Sequence, residues 1–384
     1  MKISFRLICL TFLYCVFHLN AIAQKDSIPP KERKLTVLPL PVFQVDPAIG
    51  AGFGANIAFN YRLGPKETTR NSNAFLYGVY TTKKQSIFSI DHATFTRDEH
   101  WFLSGLLEYR YFPQNFYGSG GNSSIEDEEQ ISYKAITFRE RALYQVKPHW
   151  FVGMQYRYYQ VSNIRVESSP LAPSTSTPPW PIVPERVGQF FSFDGLGNQG
   201  FRSSGLGIHT LYDTRDNILN PYQGVYAELA FDVYPQWLGS TLAYHTLRVD
   251  LRAYRKLFER LDHILAARLY GDFASSEVPF IDSPQTGVNY TTRGYVLSRY
   301  RGQRFVTAEL EYRARLWKRL GAAVFSNVHS VTEPDTQQWQ YWNLAVGAGL
   351  RVMIDKQDRV NVRVDYAVGK DDNSGLYIIF AEAF

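Results

Sequence analysis

The stretch Arg304-Phe305-Val306-Thr307-Ala308-Glu309-Leu310-Glu311-Tyr312-Arg313-Ala314-Arg315-Leu316 decides the fold. Val306, Ala308, Leu310, Tyr312, Ala314 and Leu316 fall on one parity, while Thr307, Glu309, Glu311, Arg313 and Arg315 fall on the other. Side chains of a β-strand alternate with period two, so this segment is a strand with one apolar and one charged face. The pattern recurs at 343–354, where Leu344, Val346, Ala348, Leu350, Val352 and Ile354 oppose Asn343, Ala345, Gly347, Gly349, Arg351 and Met353. At 359–368, Val360, Val362, Val364, Tyr366 and Val368 oppose Arg359, Asn361, Arg363, Asp365 and Ala367. Charge on the second face suits a sheet with lipid outside and a polar interior. A soluble sandwich also alternates, with its apolar face turned inward, so alternation alone leaves both open. Two features favour the barrel: strands of about 10 residues or more, as a tilted membrane strand requires, and tight polar turns alternating with longer loops.

The tight turns read at Arg97-Asp98-Glu99-His100, Lys147-Pro148-His149, Glu259-Arg260-Leu261-Asp262, Lys318-Arg319-Leu320 and Lys356-Gln357-Asp358, and would face the periplasm. Counting from Leu35 gives sixteen strands, the last at 375–384. The expected fold is all-β, a sixteen-stranded antiparallel transmembrane β-barrel over 35–384 with an extracellular loop folded inward. An even number suits a bacterial single-chain barrel with both termini in the periplasm. The longest outward loop, 165–200, carries Ser169-Pro170-Leu171-Ala172-Pro173 and Pro178-Pro179-Trp180-Pro181, a proline density that favours extended, semi-rigid backbone. The chain closes on Leu376, Ile378, Phe380 and Phe384 of one parity, an alternating strand with a terminal aromatic, and Glu382 departs from that pattern.

At the other end, Lys2 and Arg6 precede an apolar run from Leu7 to Leu19, and Ala21-Ile22-Ala23 supplies a small-x-small cleavage site. Residues 1–23 are therefore expected to be a signal peptide and 24–34 a short periplasmic tail. Both cysteines, Cys9 and Cys15, lie in the leader, so the mature chain has no disulfide framework and no cysteine-based metal site. Without Lys2 and Arg6 the chain has 39 basic against 36 acidic residues, too even a balance to argue for nucleic acid. After the leader no apolar stretch reaches the roughly 18 residues of a membrane helix. Phe and Tyr number 26 each, an enrichment that points to lipid-facing strands and aromatic girdles.

Three motifs then carry a resemblance. Arg293-Gly294-Tyr295 lies in the long loop before the twelfth strand; Asp213-Thr214-Arg215-Asp216 ends a strand and is followed by Asn220-Pro221 and Gly224; Val346-Gly347-Ala348-Gly349-Leu350-Arg351 opens the closing section to Phe384. In this order the chain resembles the BamA/TamA-type outer-membrane assembly factors, the bacterial surface antigen family, over nearly its whole mature length. The resemblance implies a Gram-negative outer-membrane location and a loop that returns into the lumen, where its arginine meets acidic residues of the wall. It further implies insertion or translocation of proteins, or lipid handling, at the barrel seam without nucleotide hydrolysis. Outer-membrane lipids and lipopolysaccharide, nascent outer-membrane proteins and a separate periplasmic partner are the implied partners. The eleven residues 24–34 leave no room for the polypeptide-transport-associated domains that most members carry, so a partner is expected to supply their role. The family often has an Asp in a Phe-x-Asp-x-Gly pattern of the thirteenth strand, where this chain has Phe325-Ser326-Asn327-Val328-His329.

Alternation places Glu309 and Glu311 on the interior face of the strand directly after the loop. A guanidinium offers a planar fork that matches a carboxylate, and Gly294 permits the tight backbone that lets it reach. Arg293, Gly294, Tyr295, Glu309, Glu311 and Asn327 are thus the candidate brace, with Arg293 pairing Glu311; an ordinary solvated basic loop is the plain alternative. Asp213, Arg215 and Asp216 read as a structural turn with Asp–Arg pairing, since calcium needs about six or more oxygen ligands. His209, His245 and His263 have no metal-ligand spacing, and no cofactor is expected. Pro39 and Pro41 remove two N–H donors from one side of the first strand, which is expected to face the last strand near Phe384 and weaken the seam; a frayed edge is the alternative. No Gly-x-Ser-x-Gly elbow is present and no enzyme activity is expected, leaving a passive channel or structural surface barrel as the competing function.

Overall fold

A computed structural model describes residues 35–126, 128–168, 200–258, 262–275, 278–356, 359–380 and 382–384. The expected leader 1–23, the expected tail 24–34, the proline-rich segment 169–199 and the turn residues 259–261 and 357–358 lie outside the described residues. Among the described residues no helix is long and apolar enough to cross a membrane.

The strands are β1 (Leu35–Asp46), β2 (Gly50–Tyr61), β3 (Ser72–Thr81), β4 (Ser86–Phe95), β5 (Trp101–Tyr111, resuming at Gln114–Phe116), β6 (Glu129–Lys147), β7 (Trp150–Ser168) and β8 (Phe201–Asp213). They continue as β9 (Gly224–Tyr234), β10 (Tyr244–Lys256), β11 (His263–Ala274), β12 (Arg304–Trp317), β13 (Leu320–Val331), β14 (Asn343–Asp355), β15 (Val360–Gly369) and β16 (Ser374–Phe380). The break in β5 falls at Pro113, which has no N–H for the ladder; both halves pair with β6, so they form one strand. Each strand pairs with its sequence neighbours, and β1 also pairs with β16, closing a sixteen-stranded antiparallel barrel.

Burial separates barrel from sandwich. On β12, Leu310 is 50% exposed while its neighbours Glu309 and Glu311 are 4% and 0% exposed. The same inversion holds on β14, where Leu344, Leu350 and Ile354 face out and Arg351 is buried. Apolar residues on an outer wall need lipid as their solvent, and charges inside need one another. Aromatic residues mark both edges of the apolar band: Trp101, Trp150 and Trp317 at the tight-turn end, Tyr80, Trp237 and Trp342 at the long-loop end.

Ladders run the full length of most neighbouring strands, ten to eleven aligned pairs between β10 and β11 or β3 and β2 being typical. The seam differs. Among the described residues β1 meets β16 at one aligned pair, Val45 with Ile378. Pro39 and Pro41 lie on β1 before that pair, exposed and with no aligned partner on β16. The expected last strand is also corrected: β16 ends at Phe380, not Phe384. Residues 382–384 leave the wall and turn into the lumen, where Glu382 N–H donates to the Leu219 carbonyl at 3.3 Å.

Candidate functional site

The loop between β11 and β12 enters the lumen as a compact structure pinned by threonines. Thr286 N–H donates to the Tyr300 carbonyl and Ser298 N–H to the Thr286 carbonyl, each at 3.0 Å, while Thr292 Oγ1 accepts from Gly287 N–H at 2.7 Å. Gly287 has φ +83°, and a Cβ there would stand 2.6 Å from Leu297 Cα. Gly294, φ +107°, presses against the wall closely enough that a Cβ would come within 2.8 Å of Ala345 Cβ. Only glycine tolerates both the positive φ and the approach. The tip that results carries Arg293 outward from the loop and into the charged wall.

Arg293 is 1% exposed. Its Nη2 donates to Glu311 Oε2 at 2.5 Å and its Nη1 to Asp365 Oδ2 at 2.9 Å, so one guanidinium bridges β12 and β15. The guanidinium carbon sits 3.5 Å above the Phe325 ring centroid, a cation–π contact that covers its remaining face. Asn327 does not meet the guanidinium: its Nδ2 donates to the Arg293 carbonyl at 2.9 Å, fixing backbone instead of charge. Glu309 stays in the brace at ion-pair range, without a hydrogen bond. It lies 3.9 Å from both Arg293 and Arg268, and neither of its oxygens has a hydrogen-bond partner. Tyr295 Oη donates to the Leu344 carbonyl at 2.8 Å and accepts from Lys370 N–H at 2.7 Å, tying the loop to the long-loop end of the wall.

Around this bridge is a network larger than alternation alone disclosed. Arg313 Nε donates to Glu311 Oε1 at 2.6 Å; Arg363 donates to Asp365 at 2.7 Å; Arg351 meets Asp365 and donates to Glu382 Oε2 at 2.9 Å. Glu382 also accepts from Asn361 Nδ2 at 2.6 Å. Four guanidiniums thus share a buried wall with four carboxylates, Glu309, Glu311, Asp365 and Glu382, which is the condition for burying charge at all. Asp365 had a sequence signal, its place on the charged face of β15. Glu382 was marked only by its departure from the alternation, because past Phe380 strand parity no longer applies. Phe384 likewise leaves the seam: its ring packs with Tyr254 and Ala266, and its oxygen accepts from Arg313 at 2.9 Å.

A second anchor was not foreseen. Arg157 of β7 donates through both terminal nitrogens to Asp282 of the same loop, each bond 2.7 Å, and Tyr244 Oη adds a third bond at 2.6 Å. In a closed ring of sixteen, β7 and β15 are eight strands apart and therefore opposite. The loop spans the lumen between them. Arg299 and Arg301 serve its outer side: Arg299 donates to Ser123 Oγ and carbonyl at 2.9 and 2.8 Å, and the Arg301 carbonyl accepts from Gly120 N–H at 2.7 Å. Burial, opposed by Tyr133 and Tyr159, pushes the Arg301 guanidinium down to about 10, still a cation at neutral pH. Phe112, Phe116, Tyr133, Tyr159, Val278 and Ile281 fill the space beneath with apolar packing.

At the tight-turn end, Arg215 grips Asp213 through two bonds of 2.9 and 3.1 Å, Arg70 reaches the same carboxylate at 3.2 Å, and Arg359 holds Asp216 at 2.6 Å. Asp216 Oδ1 accepts from the backbone of Tyr222 at 2.9 Å. Every carboxylate of the motif thus has a guanidinium, and no cluster of three or more metal-ligating side chains occurs among the described residues. His209 is buried against Asp232 at 3.1 Å, whereas His263 bonds Tyr312 Oη at 2.5 Å on the outer face. A cavity of about 1200 Å3 opens here, lined by Leu38, Leu40 and Val42 of β1 as well as by Arg215 and Asp216.

A family model described as the Omp85 superfamily domain matches residues 47–382. Comparison with curated proteins finds no match. Among solved structures the chain is similar to BamA from Haemophilus ducreyi lacking POTRA domains 1–3, at TM-score 0.57 and 14% identity over 91% of this chain and 71% of that one. It is similar to CdiB from Acinetobacter baumannii at TM-score 0.51 and 11% identity, over 90% of this chain and 60% of that one. For CdiB from Escherichia coli the values are 0.57, 9%, 93% and 64%. Identities this low establish likeness of fold, and the chain spans less than two thirds of either CdiB.

Proposed function

Because the chain belongs to the Omp85 superfamily, we propose that it works in the outer membrane as a gate for other polypeptides, opening between β1 and β16. The observation that carries this reading is the seam, where among the described residues one aligned pair stands against the ten or eleven between neighbours such as β2 and β3 or β10 and β11. Backbone groups without partners are costly in lipid, so a strand edge that is already short of bonds is where a barrel opens most cheaply and where an incoming strand gains most. The braced loop supports the same reading, since a lumen crossed by packed side chains turns traffic toward the wall. Nascent outer-membrane proteins are the proposed clients, delivered by a separate periplasmic partner, with lipid and lipopolysaccharide surrounding the seam. The brace holds the loop inside while the seam moves. No catalytic step is assigned.

The test locks the seam. Val45 and Ile378 are directly aligned, and the only cysteines of the chain, Cys9 and Cys15, lie in the expected leader. In cells depleted of the native protein, Val45→Cys/Ile378→Cys is expected to restore the outer-membrane protein and lipid inventory under reducing conditions and to fail when oxidised. An oxidised, cross-linked barrel that restores the inventory as well as the wild type would overturn the gate.

A further inference from the structure

The lipid-facing wall of β2 to β6 holds a groove of about 840 Å3. Two small residues create it. Ala55 of β2 is aligned with Gly78 of β3, and on either side stand the large pairs Phe53–Tyr80 and Ile57–Leu76. Gly78 is aligned in turn with Phe88, whose ring forms one wall and would stand 3.3 Å from a Cβ at position 78. Away from the loop end the slot continues along Leu76, Ile90 and Leu107, all exposed. It begins three residues before β3 ends at Thr81, so it lies in the half of the wall nearest the long loops.

Two cations border that upper end. Lys84 stands in the β3–β4 turn, and Lys134 of β6 shares a row with Ser86 and Tyr111. This row is two residues, about 7 Å along the strand, beyond the row Phe88–Tyr109–Ile136 that ends the groove. Both lysines are exposed, and neither ammonium has a carboxylate partner among the described residues. Lys134 is two interstrand steps, roughly 10 Å, from Ser86, and Lys84 stands two residues beyond Ser86, at the level where hydrocarbon gives way to headgroups.

We propose that this groove is a lipid site, taking one acyl chain of an anionic phosphate-bearing lipid whose headgroup phosphate sits against Lys84 and Lys134. An acyl chain fits a slot made by missing side chains, because dispersion contacts are lost wherever a void has no atoms on one side. A headgroup with net negative charge is selected because the two ammoniums have no carboxylate counter-ion among the described residues, and a zwitterionic lipid leaves their net charge uncompensated. The site begins on β2, so β1 separates a bound lipid from the seam.

The full chain is reconstituted into nanodiscs of phosphatidylglycerol or phosphatidylcholine with identical acyl chains, and the lipids that survive mild detergent are counted by native mass spectrometry. Near a charged surface each lysine contributes about fivefold, so the wild type is expected to retain phosphatidylglycerol over phosphatidylcholine by roughly 25-fold. Lys84→Gln/Lys134→Gln is expected to abolish that preference, and Ala55→Leu, which fills the slot, to lower retention of both lipids. Heat-modifiable gel migration reports whether each barrel is folded, and if Ala55→Leu is not, the lysine pair decides alone. Equal retention of the two lipids by the wild type, an unchanged preference in the lysine variant, or unchanged retention in folded Ala55→Leu overturns the site.

Discussion

Arg293 is the residue on which the loop's position depends, and its chemistry is specific to arginine. One planar fork bonds Glu311 and Asp365 on two different strands while its face lies on Phe325. Arg293→Ala leaves a deficit of one positive charge, softened because Glu311 keeps Arg313 and Asp365 keeps Arg351 and Arg363. The expected loss is about 3 kcal/mol, the lower end of what breaking a buried pair costs. Arg293→Lys is expected to recover less than half of it, since a single ammonium cannot bridge two carboxylates and stack on a ring together. The measurement is the temperature at which the folded barrel loses its compact gel mobility; equal midpoints for lysine and arginine would count against the bridge. Glu311 was legible before any coordinates, because period two assigns a face with certainty once a strand is recognised. Asp365 was legible as an inward residue but not as a partner, because contact between β12 and β15 depends on how far one arginine reaches across intervening strands. Arg157 and Asp282 are 125 residues apart and share no pattern at all.

At the scale of elements, alternation located strands well and strand ends poorly. β12 and β14 follow their sequence pattern up to a register irregularity near Arg315 and Met353, whereas β16 stops at Phe380 and the chain then obeys the charged interior, not the pleat. Glu382 looked out of place only as a lipid-facing residue; as a partner of Arg351 and Asn361 it completes the wall. The first strand poses the converse problem. Its prolines remove donors that a ladder needs, and its aligned contact with β16 is confined to Val45. Replacing Pro39 and Pro41 by threonine restores two N–H groups on strand-favouring residues. Each new hydrogen bond would add about 0.5 to 1.5 kcal/mol. The double variant is therefore expected to raise the midpoint of gel-mobility loss and to lower the recovery of client proteins in depleted cells. A more stable barrel with full client recovery would mean that these prolines do not limit opening.

For the whole molecule, the decisive feature is that the loop between β11 and β12 is tied to opposite walls, at Arg157 through Asp282 and at Glu311 and Asp365 through Arg293. A strap fixed at both ends behaves differently from one fixed at a single end. Releasing one anchor leaves the backbone held across the lumen by the other, so the bore stays blocked. Releasing both leaves the loop only its remaining ties, such as those of Tyr295, Arg299 and Arg301, so it is expected to shift and widen the bore, where the polar wall then lines a water path. Arg293→Ala and Asp282→Asn are each expected to change single-barrel conductance in planar bilayers little, and the double variant to raise it by far more than the sum of the two. Neighbouring sites that share a constraint depart from additivity in this way, whereas independent ones add. Additive conductances would show that the two ion pairs act separately and that the loop is not a strap. A wild-type barrel already conducting as freely as the double variant would replace the proposed gate with a passive channel. The experiment therefore separates the two functional readings through one geometric property, the distance between anchors, which no stretch of the sequence encodes by itself.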